Sequence, residues 1–303
     1  MSADFSSVLI EGPWSHDFVS ANGARFHVVQ AGPADSQAPL VLFLHSFPQF
    51  WWAWRHQLVT IGEAGYRAVA MDLRGVGASD KPPSGYDVPT RTRDVAGVIR
   101  SLGTDHAIVV GHGTGAGVAW AMAALQPAVT EAVVAIAGPH PARLHRTTRS
   151  AYTPAARLRL AYLQLPNLPE RALTRGGLTR TLLEEWSTGR FTPDELETYE
   201  TAINVPFAAH SSLEAVRWLV RSTPRPDGYR FRTRLRRPLF VPALQLQGEQ
   251  DPVIVPDVVD VDAAALCRDY RFELLPGTHF LPEELPGEVS DLLLGFLDGV
   301  SRA

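Results

Sequence analysis

The chain has 303 residues, 45% of them hydrophobic and 20% charged, which is enough for one large buried core and ordinary for a globular protein. A net charge of −4 excludes bulk attraction to nucleic acid, and a single cysteine, Cys267, excludes an intramolecular disulfide and fits a reducing cytoplasm. The first fourteen residues carry Asp4 and Glu11 and no basic stretch leading into an apolar run, so no signal peptide is expected.

In chain order, Trp14–Val19 and Ala24–Gln30, joined around Asn22-Gly23, predict an antiparallel hairpin at a sheet edge. Short continuous apolar runs follow at Leu40–Leu44, Arg67–Met71, Ala107–Val110 and Ala132–Ile136. Such runs suit strands buried on both faces of a parallel sheet. Helix-period segments lie between them, near Phe50–Ala64, Arg91–Leu102 and Gly115–Leu125. Strand, helix and strand at this spacing predict right-handed βαβ units. The most apolar stretch, Val118 to Ala137, is broken by Gln126, Pro127, Thr130 and Glu131, so it reads as helix, turn and strand and not as a membrane span.

The pattern changes after Gly138. From Pro139 to about Arg237 the chain is rich in Arg, Pro and Leu, reads as helical and holds no strand-like run. Strands return at Leu239–Leu246 and Arg271–Leu275, with a helix near Asp257–Leu266 and a last one near Gly287–Leu297. The expected fold class is α/β: a mostly parallel sheet with helices on both faces and an inserted helical cap. The core then comprises residues 1–139 and 238–303, and the cap residues 140–237. A helical insertion in such a sheet is most simply a lid over the strands' C-terminal edge, where ligands bind in open α/β sheets. From His140 to Arg237 there are 17 Arg, no Lys and 9 acids, a net of +8 against −12 for the rest. That surplus reads as a solvated face, or as an attraction for anionic substrates.

The segment from Ile108 to Trp120 runs from strand into helix, and Gly111 and Gly115 bracket a central Gly113. This is the spacing of a nucleophile elbow, where small flanks let the central residue sit on a sharp, strained turn. The segment resembles the GHDxG elbow of epoxide hydrolases and haloalkane dehalogenases. Four further stretches agree. His45 to Arg55 resembles that family's HGFPxxxxxWR loop, and Asp72 to Pro82 its DLRGxGxSDKP segment. Gly248 to Pro252 and Gly277 to Glu284 resemble its acid and histidine loops. The motifs occur in the family's order and span the chain outside the insertion. They look closest to an actinobacterial epoxide-hydrolase-like branch.

The resemblance implies a chemistry. In this family an elbow aspartate attacks carbon and forms an ester with the enzyme, and a histidine held by an acid then activates water to cleave it. By motif, His279 is the base, Asp251 the orienting acid, and the backbone N–H groups of Phe47 and Thr114 form the oxyanion hole. His45, Trp51, His112 and Trp218 are expected to border the substrate; Trp51, Trp52, Trp54 and Trp218 read equally as pocket wall or core filling. The expected ligand is a small, largely apolar molecule. No phosphate-binding loop and no Cys or His pair at metal spacing is present, so no cofactor is expected. His140 and His210 read as cap-lining or surface residues. A homodimer stays open.

Three positions depart from the family. Gly113 has no side chain with which to attack, and loss of a triad nucleophile costs on the order of 10⁶ in rate. Thr114 is the nearest hydroxyl, but its elbow role is to offer its N–H. It also replaces the halide-binding tryptophan of the dehalogenases, which favours the epoxide-hydrolase branch. Ser46 stands where the oxyanion loop has glycine and crowds it. Epoxide hydrolases protonate the ring oxygen with cap tyrosines; Tyr152, Tyr162, Tyr199 and Tyr229 are available, but Ser212–Trp218, where one of the pair is sought, has none. Four readings remain. The first is a hydrolase in which His279 and Asp251 activate water. The others are a lyase or cyclase using them as a proton shuttle, a catalytically dead binding protein, and an epoxide hydrolase whose nucleophile has been engineered away.

Overall fold

The computed structural model describes residues 4–35, 37–144, 151–187 and 189–301. Eight strands form one sheet: β1 (Ser15–Ala21), β2 (Ala24–Ala31), β3 (Leu40–Leu44), β4 (Arg67–Met71), β5 (Ala107–His112), β6 (Thr130–Ile136), β7 (Ala243–Gly248) and β8 (Tyr270–Leu275). Their order is β1-β2-β4-β3-β5-β6-β7-β8. β1 and β2 pair antiparallel, β2 meets β4 antiparallel, and every later pairing is parallel.

The inner strands are buried on both faces. Val41 and Phe43 turn into one core beneath the helices Arg55–Glu63 and Pro286–Ser301, beside Leu58, Ile61 and Leu293. Leu42 and Leu44 turn into the other, beneath Val88–Ser101 and Thr114–Leu125, beside Val95, Ile99 and Trp120. This is the two-residue alternation of a strand applied to an uninterrupted apolar run.

Some boundaries move for local reasons. The helix expected from Arg91 begins at Val88, because Asp87 caps it by accepting from Thr90 N–H at 2.7 Å and Pro89 fits the first turn. The strand expected from Leu239 begins at Ala243; Pro242 has no N–H for the ladder, and Leu239 makes only an isolated bridge to Cys267. The helix expected near Asp257–Leu266 is a short 3₁₀ turn, Pro256–Val258, followed by Val261–Leu266.

Between β6 and β7 the described residues are helical: Pro141–Leu144, Pro154–Tyr162, Leu168–Arg175, Leu178–Ser187, Pro193–Ile203, Ala208–Arg221 and Pro226–Leu235. Residues 145–150 and 188 of the stretch expected to be helical lie outside the described residues. The insertion has its own core of Leu163, Leu173, Leu182, Leu213 and Val216, and Phe47 from the sheet side joins it. Its last helix behaves differently: Phe231 and Leu235 pack into the core that holds Trp120. Several of its arginines are matched by acids, Arg217 by Glu170 and Glu214, Arg180 by Glu200 and Arg159 by Glu185.

The segment after β4 is a buried clamp. Asp72 accepts from Trp51 N–H and Ala78 N–H, each at 2.9 Å, and lies 2.8 Å from His27 Nδ1. Burial pushes its carboxyl up, but His27 and the donors outweigh burial and hold it below the usual carboxylate range. Asp72→Ala is expected to cost about 3–5 kcal/mol, since it leaves these donors buried and unmatched. A depressed carboxyl stabilises above its unfolded pKa of about 3.9 and ceases to do so as pH falls through the folded value. The urea midpoints of wild type and variant should therefore differ at pH 7 and converge below pH ~4. Equal midpoints at pH 7 would exclude the clamp.

Candidate active site

The site lies at the C-terminal ends of β3, β5, β7 and β8. β5 ends at His112 and the helix Thr114–Leu125 starts two residues on, so the chain must turn on Gly113, which takes φ 51° and ψ −110°. The flanking glycines are enforced by close approach. A Cβ on Gly111 would stand 2.3 Å from the Gly115 carbonyl oxygen, and one on Gly115 would stand 2.2 Å from that of Leu44. The strained elbow is therefore fully built around a residue with no side chain.

His279 follows β8, and its Nδ1 lies 3.0 Å from Asp251 Oδ2. Asp251 follows β7, where Oδ1 accepts from Val253 N–H at 2.7 Å and Ile254 N–H at 3.0 Å, and Oδ2 from Gln247 Nε2 at 2.7 Å. Burial pushes this carboxyl up, but His279 and the two backbone donors more than offset it, so its pKa lies below the usual range. An ionised Asp251 receives the Nδ1 proton, which leaves Nε2 as the bare nitrogen. That nitrogen faces the elbow, 3.4 Å from where a Cβ on Gly113 would stand. The loop is braced from outside as well. Trp186 in the insertion accepts at its carbonyl from His279 N–H at 3.2 Å and Thr278 Oγ1 at 3.0 Å.

The oxyanion region differs from its expected form. Phe47 and Thr114 do adjoin the elbow, but the Thr114 N–H points at Ser46 Oγ, 3.3 Å away. Among the described residues the Phe47 N–H has no hydrogen-bond partner. The Ser46 hydroxyl stands in the space beside Gly113: a Cβ there would be 2.1 Å from Ser46 Oγ.

A cavity of about 70 Å³ opens over these residues. Ser46, Phe47, Gly113, Thr114 and His279 form its floor, and Tyr152, Leu160, Trp186, Val216 and Ile254 contribute to its largely apolar walls. Among the described residues no arginine lines it.

The other expected site residues lie apart from this cavity. Trp51 is fully buried in the core, gives its Nε1–H to the Val8 carbonyl and meets Trp14 and Phe50 edge-on. Trp218 packs edge-on against Phe231. Neither borders the cavity, because helical and strand periodicity marks an inward face without saying what that face meets. His45 gives its Nδ1–H to the Ser46 carbonyl and accepts from Leu73 N–H at 3.1 Å; burial lowers its pKa to about 4, so it is neutral. Burial also lowers His112 to about 3, and its ring bridges the Gln49 carboxamide and the His279 carbonyl, 3.1 and 2.7 Å away. Both histidines shape the loops that carry the site. His140 is buried against Trp120, and the half-exposed His210 pairs with Glu170. Among the described residues no group of three His, Cys, Asp or Glu could hold a metal.

Of the four tyrosines weighed, Tyr152 lines the cavity, and burial raises its phenol to about 12, so it stays a donor. Tyr199 is committed to Glu283, and Tyr229 is exposed. Trp186 was not signalled by any motif, being one aromatic on an amphipathic helix. The arginine of the tryptophan-rich loop, Arg55, stacks on Trp52 at 4.0 Å and pairs with Glu283 and with Glu195 of the insertion. It thus ties the oxyanion loop, the histidine loop and the insertion together.

The match to the alpha/beta hydrolase fold family covers residues 39–286. The AB hydrolase superfamily protein YfhM of Bacillus subtilis is 30% identical over 288 residues, 92% of this chain and 96% of that protein. Epoxide hydrolase A of Mycobacterium tuberculosis is 30% identical over 314 residues, 93% of this chain and 97% of that protein. The crystal structure of epoxide hydrolase A from Mycobacterium thermoresistibile superposes with a TM-score of 0.74 at 25% identity, covering 94% of this chain and 98% of that one.

Proposed function

The chain belongs to the α/β-hydrolase family, in its epoxide-hydrolase-like branch, and from that premise we propose that it hydrolyses a small, largely apolar molecule held between sheet and helical cap. His279 is the general base, Asp251 holds and charge-matches it, and position 113 supplies no nucleophile. One observation carries this reading: Nδ1 of His279 lies 3.0 Å from Asp251 Oδ2, while Nε2 lies 3.4 Å from where a Cβ on Gly113 would stand. A base so placed can take a proton from a hydroxyl or a water in the cavity, and that step contributes typically ~10²–10⁴ in rate. Tyr152 borders the same cavity. The apolar walls exclude bulk water and strengthen the base's interaction. Among the described residues no helix is long and apolar enough to cross a membrane, and a cytoplasmic setting fits the lone cysteine.

The test is turnover of a panel of short esters, lactones and epoxides by wild type and His279→Ala. The variant should lose about 10²-fold or more. In ¹⁸O-water the product of wild-type turnover should carry label. Unlabelled product would identify a lyase or cyclase, and turnover indifferent to His279 would remove the base from the mechanism.

A further inference from the structure

Two departures from the family pattern, 67 residues apart in sequence, occupy one place in the fold. β3 and β5 are neighbours, with Leu44 opposite Gly111, so the loops that leave them adjoin. Position 113 has lost its side chain, and position 46 has gained one that reaches into the space. The Cβ that Gly113 lacks would lie 2.1 Å from Ser46 Oγ and 3.4 Å from His279 Nε2. The hydroxyl is buried, at 2% residue exposure, and loosely held. It accepts from Thr114 N–H at 3.3 Å and donates to the Phe47 carbonyl at 3.4 Å, both near the limit of a hydrogen bond.

Resting on the hydrolase reading above, we infer that Ser46 Oγ is this enzyme's nucleophile, transferred from the elbow to the facing loop, and that its substrates are carboxylic esters or lactones. The two atoms are not hydrogen-bonded in this rotamer. Both lie within 3.4 Å of the point where a Cβ on Gly113 would stand, and catalytic hydrogen bonds often tighten only in the complex. His279 Nε2 takes the hydroxyl proton as Oγ bonds to the acyl carbon, and the carbonyl π pair moves onto its oxygen. The Phe47 N–H, with no partner among the described residues, and the Thr114 N–H beside Oγ are the donors for that oxyanion. The C–O bond to the leaving group then breaks, and the alcohol departs with the proton from Nε2, leaving acyl-Ser46. A water gives a proton to Nε2 as its oxygen bonds to the acyl carbon. The C–Oγ bond breaks, Oγ regains the proton, and ester plus water has become acid plus alcohol.

The same chemistry excludes epoxides as turnover substrates for this nucleophile. An aspartate that opens an epoxide forms an ester, which water can cleave at its carbonyl. A serine that opens one forms an ether, which offers water no carbonyl. Exchange of Asp at 113 for Ser at 46 therefore changes the substrate class.

The experiment uses p-nitrophenyl butyrate for turnover and an alkyl fluorophosphonate for labelling of the full chain, with wild type, Ser46→Ala and His279→Ala. Labelling is read by peptide mass mapping, and folding by Tm. The expected result is a phosphonyl group on the peptide carrying Ser46. Ser46→Ala should remove the label and about a thousandfold or more of the turnover with Tm nearly unchanged, and His279→Ala should slow both reactions. Loss of turnover in His279→Ala but not in Ser46→Ala overturns the relocated nucleophile and leaves a base acting on water, and label on Thr114 overturns it in favour of that hydroxyl. Turnover indifferent to both variants, or neither turnover nor label in wild type, overturns the hydrolase reading as well.

Discussion

Asp251→Asn is expected to lower kcat/KM by about 10⁴ while the protein stays folded, the size seen when the acid of a Ser-His-Asp triad becomes its amide. The cause is the tautomer. Asp251 Oδ2 accepts the His279 Nδ1 proton at 3.0 Å and the Gln247 Nε2 proton at 2.7 Å, while Oδ1 accepts from Val253 and Ile254. An asparagine whose carbonyl keeps the two backbone donors must turn its NH₂ towards His279. Nδ1 then becomes the acceptor and the proton moves to Nε2, the nitrogen that has to be bare. Gln247 Nε2 would also face a donor, so a stability cost of about 1–3 kcal/mol accompanies the rate loss. Asp251→Ala differs in kind. It leaves the Val253 and Ile254 N–H groups unmatched as well and should fall further in Tm than Asp251→Asn, with a similar loss of rate. A rate unchanged in Asp251→Asn at unaltered Tm would mean that His279 needs no acid and that the pair is only a loop clamp.

The sequence carried the frame of this site and little of its lining. Uninterrupted runs such as Leu40–Leu44 have one stable solution, a strand covered on both faces, and that solution fixes where β3 and β5 end. The Gly111–Gly115 spacing is similarly constrained, since a Cβ at either position would strike backbone. Asp251 and His279 were expected from the acid and histidine motifs; each follows a strand, and parallel strands bring their C-terminal ends to one edge. The walls obey no comparable rule. Trp51, Trp218 and Trp186 are all aromatics on inward faces, yet only Trp186 meets the cavity, and that depends on how the insertion docks. Ser46 and Gly113 read, with the missing cap tyrosine, as departures clustered around one pocket, but not as a pair in contact. Their coupling follows from the β3–β5 pairing, a feature of the sheet order and not of either motif.

That coupling makes the exchange of the two residues the sharpest test of what the elbow still contains. Gly113→Asp alone should fail. Its Cβ would stand 2.1 Å from Ser46 Oγ and 2.9 Å from Ser46 Cβ, on a backbone with φ +51°. Overpacking and a left-handed conformation each cost roughly 1–3 kcal/mol, so a lower Tm and no epoxide opening are expected. Ser46→Gly alone removes the hydroxyl and should lose ester turnover. The double variant Ser46→Gly with Gly113→Asp clears the space, frees the Thr114 N–H and sets a carboxylate beside His279 Nε2 over an intact Asp251. Because the two positions are in contact, their effects should be strongly non-additive. Opening of a terminal epoxide by the double variant should exceed either single variant by about 10³ or more, approaching the weight of a triad nucleophile. Part of the Tm lost in Gly113→Asp should return, and butyrate ester turnover should stay low. Mass spectrometry of the double variant carrying His279→Gln should then trap the alkyl ester on Asp at 113, since the base that cleaves it is gone. If the exchange yields no epoxide opening although Tm recovers, the two positions are not a compensated pair. The loss of epoxide chemistry would then extend to the cap, where Tyr152 alone among the tyrosines weighed borders the cavity and no second phenol is present to share the ring oxygen.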